Sequence, residues 1–198
     1  MHVLVEAMNP SLPSITILGT EFQCGSYVLR IRLEEALTLR FGRFKKGKAI
    51  TMSAGEYVYV GSALSTRGAT SLASRLVRHA TRSGDKPPHR IRGEMLEHFR
   101  TIGLGKENPT PKHGKKTHWH VDYLLDELSA EIVNVFAIRS DRKLEAALGK
   151  FLENHPHTVV FEKGLGANDV SGNTHILRVG ADETWWHDLV DRLRVLKV

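Results

Sequence analysis

Ser26-Tyr27-Val28-Leu29-Arg30-Ile31-Arg32-Leu33 is the stretch on which the fold turns. Tyr27, Leu29, Ile31 and Leu33 share one side of a two-residue period, and Arg30 and Arg32 share the other. Successive side chains of a strand point to opposite faces, so this is the pattern of a half-buried strand. Moving outward, Leu37, Leu39 and Phe41 alternate with Thr38 and Arg40, and Lys45–Lys48 with Gly47 reads as an exposed turn. Glu56 to Val60 then forms a second short strand, with Tyr57 and Tyr59 on one face, Val58 and Val60 on the other, and Gly61 ending it. Two such strands joined through a basic turn make a long β-hairpin.

From Thr70, the expected N-cap, the period becomes helical. Leu72, Leu76 or Val77, and Ala80 form the core side, while Arg75, Arg78, His79 and Arg82 make one basic stripe. Residues 84–116 read as an insertion: a short amphipathic stretch with Ile91, Met95, Phe99 and Ile102, then a polar run from Lys106 to Lys116 expected to be mobile. His118 to Leu128 is expected to be a helix and Ile132 to Ile138 a strand. Ser140 or Asp141 is expected to cap a helix that packs through Leu144, Leu148, Phe151 and Leu152. Two more strands, Thr158–Phe161 and His175–Val179, flank a Gly-rich loop at 164–172, and Asp182 caps a last helix. The pattern is that of an α+β (α/β-class) chain: a small, mainly antiparallel sheet flanked by helices. It is read as one domain, 25–198, after an N-terminal extension, 1–24.

A chain of 198 residues with 41% apolar content can bury a substantial core. Cys24 is the sole cysteine, which excludes an intramolecular disulfide and favours a reducing compartment. The first ten residues lack a basic segment of the signal-peptide kind, and no stretch approaches the roughly 20 apolar residues of a membrane span. A cytoplasmic protein without membrane partners is therefore expected. The charge is uneven. Between residues 25 and 82, eleven Lys/Arg face only Glu34, Glu35 and Glu56, a net of +8, whereas residues 121–198 carry −4. A concentrated cation suits a polyanion, because each neutralised phosphate releases counterions.

The order of a Gly25-Ser26-Tyr27 strand, a Tyr59-Val60-Gly61 strand, a helix with Arg75, a strand, and a helix with Glu145 resembles the GIY-YIG nuclease superfamily. The resemblance is closer to a branch found alone or fused to endonuclease III in microbes, and it covers roughly residues 25–180. It rests on Tyr57 to Ala63, Arg75 to His79, the rare string His118-Trp119-His120-Val121-Asp122-Tyr123-Leu124, and the loop Gly164 to His175. Ser26 stands where the superfamily favours Ile, and Leu165, Asn168 and Val170 depart from the branch's habit in the late loop.

The resemblance implies a divalent-metal-dependent endonuclease acting on DNA, and the fusions with a repair enzyme point to damaged or branched DNA. Tyr27 and Tyr59 would flank the reacting phosphate, Arg75 would hold it, and Glu145 would bind one Mg²⁺ or Mn²⁺. A tyrosine used as a base would need nearby cations to lower its pKa from about 10. Arg75 and the metal would provide them. Arg30, Arg32, Lys45, Lys46, Arg78 and Arg82 are candidates for the DNA backbone. His79, His118, His120, Asp122, Asp169 and His175 form a second set of candidates, as metal ligands or as supports for the catalytic groups. Two other functions fit the same residues: a nucleic-acid-binding protein without catalysis, and a metal-dependent hydrolase of small molecules built on His118, His120 and Asp122.

Overall fold

The computed structural model describes residues 11–105, 109–111, 114–166 and 174–196. Its centre is a six-stranded sheet built on the alternating stretch, β2 (Gly25–Leu33), and its hairpin partner β5 (Gly55–Ala63). These pair antiparallel from Gly25 opposite Ala63 to Leu33 opposite Gly55. On the other side of β2 lies β6 (Ala130–Arg139), also antiparallel, with a bulge between Arg30 and Ile31. Outside β5 come β8 (Ile176–Val179) and the two-residue β7 (Thr158–Val159). The sixth strand, β1 (Ile15–Leu18), runs parallel to β6 at the opposite edge. Part of the expected N-terminal extension is therefore an integral strand. Its four residues were too short a run to separate from loop by periodicity.

Between β2 and β5 the chain forms a second, two-stranded sheet, β3 (Leu37–Arg40) and β4 (Ala49–Met52), joined by a turn at Phe44–Gly47. Phe41, Ile50 and Met52 tuck this small hairpin against the main core.

Both faces of the large sheet are covered, so the molecule has three layers. One face carries Tyr27, Leu29, Ile31, Tyr57 and Tyr59, packed against α1 (Leu72–His79), α2 (Arg92–Thr101) and α3 (His120–Leu125). The other carries Val28, Val58, Val60, Phe136 and Ile138, packed against α4 (Glu145–Glu153) and α5 (Glu183–Leu196). Arg30, expected on a solvated face, is instead roofed by α5. Its guanidinium lies 4.4 Å from the Trp186 ring and bonds Glu56 and Glu183.

Helix boundaries differ from the expected ones for local reasons. Ser71 rather than Thr70 precedes α1, in extended conformation, with its hydroxyl turned back to the Gly68 carbonyl. The helix expected from His118 starts at His120, because the Asp122 carboxylate takes the backbone N–H groups of His118 and Trp119 and holds both outside the helix. Ser140 caps the N–H of Arg142 in a turn, and α4 begins only at Glu145, which places that glutamate in a first turn. Asp182 caps α5 as expected, accepting from the Trp185 N–H at 3.1 Å. Within the expected insertion, α2 packs Met95 and Phe99 into the core; of the polar run behind it, residues 106–108 and 112–113 lie outside the described residues.

Candidate active site

Tyr27 and Tyr59 lie on the same face of adjacent strands, offset by two positions, with ring centroids 6.2 Å apart. Gly61 stands directly across from Tyr27, and a side chain there would meet the phenol: an ideal Cβ would lie 2.5 Å from Tyr27 Oη. The glycine thus lets the ring lie across β5 and reach α1, where Tyr27 Oη is 2.8 Å from His79 Nε2. Gly61→Ala is expected to push the phenol off His79 and to destabilise the fold by about 1–3 kcal/mol, the usual cost of overpacking. Chemical denaturation beside wild type measures it, and an unchanged midpoint would show that the close approach is not needed.

Behind His79 sits Asp122, fully buried, with Oδ1 3.6 Å from His79 Nδ1, beyond hydrogen-bonding distance. Its carboxylate is bound by both terminal nitrogens of Arg78 at 2.9 Å each and by the N–H groups of His118 and Trp119 at 2.8 and 2.9 Å. Burial alone would raise the Asp122 pKa, but the facing His79, Arg78 and Lys115 more than reverse this and hold it well below the carboxylate range. Burial pushes His79 down to about 4 against the pull of Asp122, so its ring is neutral at physiological pH. With its proton on Nδ1, the side facing Asp122, Nε2 is free to accept from the Tyr27 hydroxyl. The ammonium of Lys115, also buried, lies 3.9 Å from Asp122 and is pushed down to about 8 by burial.

The tyrosines do not have the depressed pKa that a tyrosine base requires. Burial raises both, as does Glu145, and the opposing pull of Arg75 is too small to reverse the effect. Both phenols feel the same three charges, Arg75 opposing the rise and Glu145 and Asp122 adding to it.

Arg75 lies one helical turn before His79 on α1, and its guanidinium sits 3.8 Å from the Trp119 ring. Arg78 stacks on the same ring at 4.4 Å, but it is spoken for by Asp122. Among the described residues Arg75 has neither an ion pair nor a side-chain hydrogen bond, and its Nε is buried without a partner. A π face can hold a guanidinium in place without neutralising it.

Glu145 reaches the site around an edge of the sheet. β8 pairs only with Glu56 to Tyr59 of β5, which leaves Gly61 to Ala63 open on that side, and the start of α4 fills the gap. Ser62 Oγ donates to Glu145 Oε2, while His175 Nδ1 stands 3.1 Å from Oε1. Burial would raise this carboxyl, but His175, Ser62 and Lys143 bring it below the usual value. Its side chain remains 21% exposed, enough for a further ligand to approach.

Several candidates serve the fold instead. Buried Arg30 is matched to Glu56 and Glu183, so it is no phosphate contact. Arg82 is buried too, giving its guanidinium to the carbonyls of Ala130, Pro87 and Glu127 and to Glu131. Arg78 anchors Asp122. Arg32 is half exposed beside Glu56, Lys45 meets Glu162, and Lys46 is exposed at the hairpin tip. Lys45 and Lys46 both take left-handed backbone conformations, φ 45° and 58°, at the tip of the β3–β4 hairpin.

The histidine metal centre does not assemble. The His118 side chain is exposed against Trp119, and His120 Nδ1 accepts from the Gly166 N–H at 3.1 Å while its ring packs on Phe44. With Asp122 saturated by donors, these three do not converge, and among the described residues no group of three or more His, Cys, Asp or Glu could hold a metal ion. Asp169 lies outside the described residues. Trp119, Ser62 and Lys115 were not singled out by sequence. Trp119 and Ser62 fall within the quoted strings, whereas Lys115 sits in a run of lysines with no pattern to mark it.

Among the described residues no helix is long and apolar enough to cross a membrane. No curated protein matches the chain, and no solved structure does. A family model described as a domain of unknown function, DUF123, matches residues 26–197, and the chain belongs to that family.

Proposed function

We propose that this protein is a divalent-metal-dependent endonuclease of GIY-YIG type that hydrolyses DNA phosphodiester bonds. The observation that carries the proposal is Arg75: among the described residues it is a half-buried cation without a counter-ion, stacked on Trp119 and felt by both phenols. A desolvated charge left uncompensated is costly unless something binds it, and a phosphate is the ligand its geometry suits. Arg75 would grip the non-bridging oxygens and stabilise the charge that gathers on them in the transition state. Tyr27 and Tyr59, both protonated, would orient the attacking water. The proton that water loses would pass through Tyr27 Oη to Nε2 of His79, which Asp122 and Arg78 hold in place. A ring with a pKa of about 4 is a weak base, so this relay contributes orientation more than basicity. Glu145 suits a cation that keeps most of its waters, since it is a single, partly exposed carboxylate. Mg²⁺ or Mn²⁺ bound there would supply positive charge to the departing alkoxide. The exposed lysines of the hairpin tip and Arg32 would contact the backbone without reading sequence. Such an activity would place the protein with its DNA in the cytoplasm, and the fusions of its resembling branch with endonuclease III favour damaged or branched substrates.

The test is cleavage of supercoiled, branched, nicked, abasic and single-stranded DNA with Mg²⁺ or Mn²⁺, beside chelator and beside Glu145→Ala. Metal-dependent cutting that disappears in the variant is expected. Salt-sensitive binding without cutting under any metal would favour the non-catalytic reading, which the raised phenol pKa values also suit. Cutting that survives Glu145→Ala would take the metal away from that residue.

A further inference from the structure

His175 begins as an anomaly. Its side chain is 2% exposed, and neither Nδ1 nor Nε2 has a hydrogen-bond partner among the described residues. Buried polar groups are nearly always satisfied, so an imidazole with two orphan nitrogens is waiting for something. It is also held rigidly. Its N–H donates to the Leu165 carbonyl at 2.9 Å and its carbonyl accepts from the Val60 N–H at 3.0 Å, fixing it between the late loop and β5. On the ring side α4 presents Gly149, where an ideal Cβ would lie only 3.2 Å from Cδ2 and 3.3 Å from Nε2. The Cδ2–Nε2 edge of the ring lies against the glycine and cannot swing that way.

What the ring faces is Glu145. Nδ1 and Oε1 are 3.1 Å apart, close enough for a hydrogen bond but without its alignment, so the pair is in contact with neither nitrogen committed to a donor geometry. Two neighbouring ligands of one octahedral ion, each about 2.1 Å from it, are separated by about 3.0 Å. Ser62 Oγ, bonded to Oε2, turns the other carboxylate oxygen toward the histidine. A pair of protein ligands leaves the remaining positions to water and phosphate oxygens, as an ion engaged in phosphate chemistry requires.

We propose that His175 and Glu145 together chelate the divalent ion, one through Nδ1 and the other through Oε1, and that this site favours Mn²⁺ over Mg²⁺. Imidazole suits Mn²⁺ and the later first-row ions, whereas Mg²⁺ prefers oxygen and parts with water reluctantly. The inference rests on Glu145 as a metal ligand but not on the nature of the substrate.

The test uses the full chain and Mn²⁺ alone. Pulsed electron paramagnetic resonance reads directly bonded ¹⁴N, and titration gives the affinity, with Mg²⁺ measured by competition. Wild type is expected to show imidazole ¹⁴N coupling. In His175→Ala and in the bulkier, polar His175→Gln, the coupling should vanish and Mn²⁺ should bind about tenfold or more weakly, with a smaller change for Mg²⁺. Circular dichroism and metal-free melting confirm that each variant is folded. Absence of ¹⁴N coupling in wild type, or equal weakening of both ions, overturns the chelate and leaves His175 a positioning partner of Glu145. Coupling without DNA cleavage sinks the nuclease reading and spares this site; cleavage with no coupling does the reverse.

Discussion

Arg75→Ala is expected to slow DNA cleavage about 10²–10³-fold, the scale on which a single preorganised charge stabilises a transition state. The same change is expected to leave folding stability within about 0.5 kcal/mol or to raise it slightly, as for substitutions away from buried networks. The two halves of this expectation have one cause. Among the described residues Arg75 has no carboxylate or carbonyl to lose, and Trp119 keeps a π face over Arg78 when its neighbour is gone. Arg75→Lys should recover little, because an ammonium lacks the planar face that stacks and the fork that grips two phosphate oxygens. Single-turnover cleavage and guanidinium unfolding of the same preparations measure both. An Arg75→Ala protein that cuts at the wild-type rate would end the assignment. A loss of several kcal/mol in stability would mean that the arginine is structural after all.

Asp122→Ala works in the opposite direction. It should lower the unfolding free energy by about 3–5 kcal/mol, the range found when one member of a buried ion pair is removed. Lys115, buried, and Arg78, partly buried, would then be left without their counter-ion, and the N–H groups of His118 and Trp119 without their acceptor. The same group of residues sets the acid response. His79 is lowered in the fold to about 4 from an ordinary 6.5, so between these values the unfolded chain holds more protons. Stability therefore falls as pH drops from 6.5 to 4, by at most about 1.4 kcal/mol per pH unit for this one proton. Asp122, Glu131 and Asp126 are depressed carboxylates, the latter two to about 2. Their contribution is complete above the unfolded value near 4 and is lost on further acidification. Urea unfolding at pH 7, 5.5 and 4 should show a monotonic decline, and a flat profile over this range would contradict the assignment of a neutral, buried His79.

Much of the fold was legible because its strands obey a period. Tyr27, Leu29, Ile31 and Leu33 mark the core face of β2 without ambiguity, and Tyr59 follows on β5. What sequence could not show was the second layer. Arg30 looks like a surface residue until α5, some 150 positions later, brings Glu183 and Trp186 onto it. Arg78 and Arg82 share a helical stripe with Arg75 by spacing, yet Asp122 claims one and the carbonyls around Ala130 the other. Spacing gives a direction; only tertiary partners decide which charge remains free. His118, His120 and Asp122 failed as a metal set for a local reason, since Asp122 spends its carboxylate on Arg78 and on the backbone ahead of it, and His120 turns to the Gly166 N–H. Glu145 and His175 are thirty residues apart, and no local pattern announces that they touch.

The parallel strand at the sheet's margin bears on where this protein can be cut. β1 covers the outer rim of β6, assisted by Pro13, which accepts from Asn134, and by Ser14, which accepts from the Val135 N–H. The family match begins at Ser26, downstream of all of these. A chain trimmed to that boundary would present Val135 to Ile138 as a bare, apolar, hydrogen-bonding rim, the kind of surface on which proteins stack into aggregates. Residues 13–18 are thus a sealing strip as well as a strand, and the border drawn by sequence similarity runs inside the folded unit.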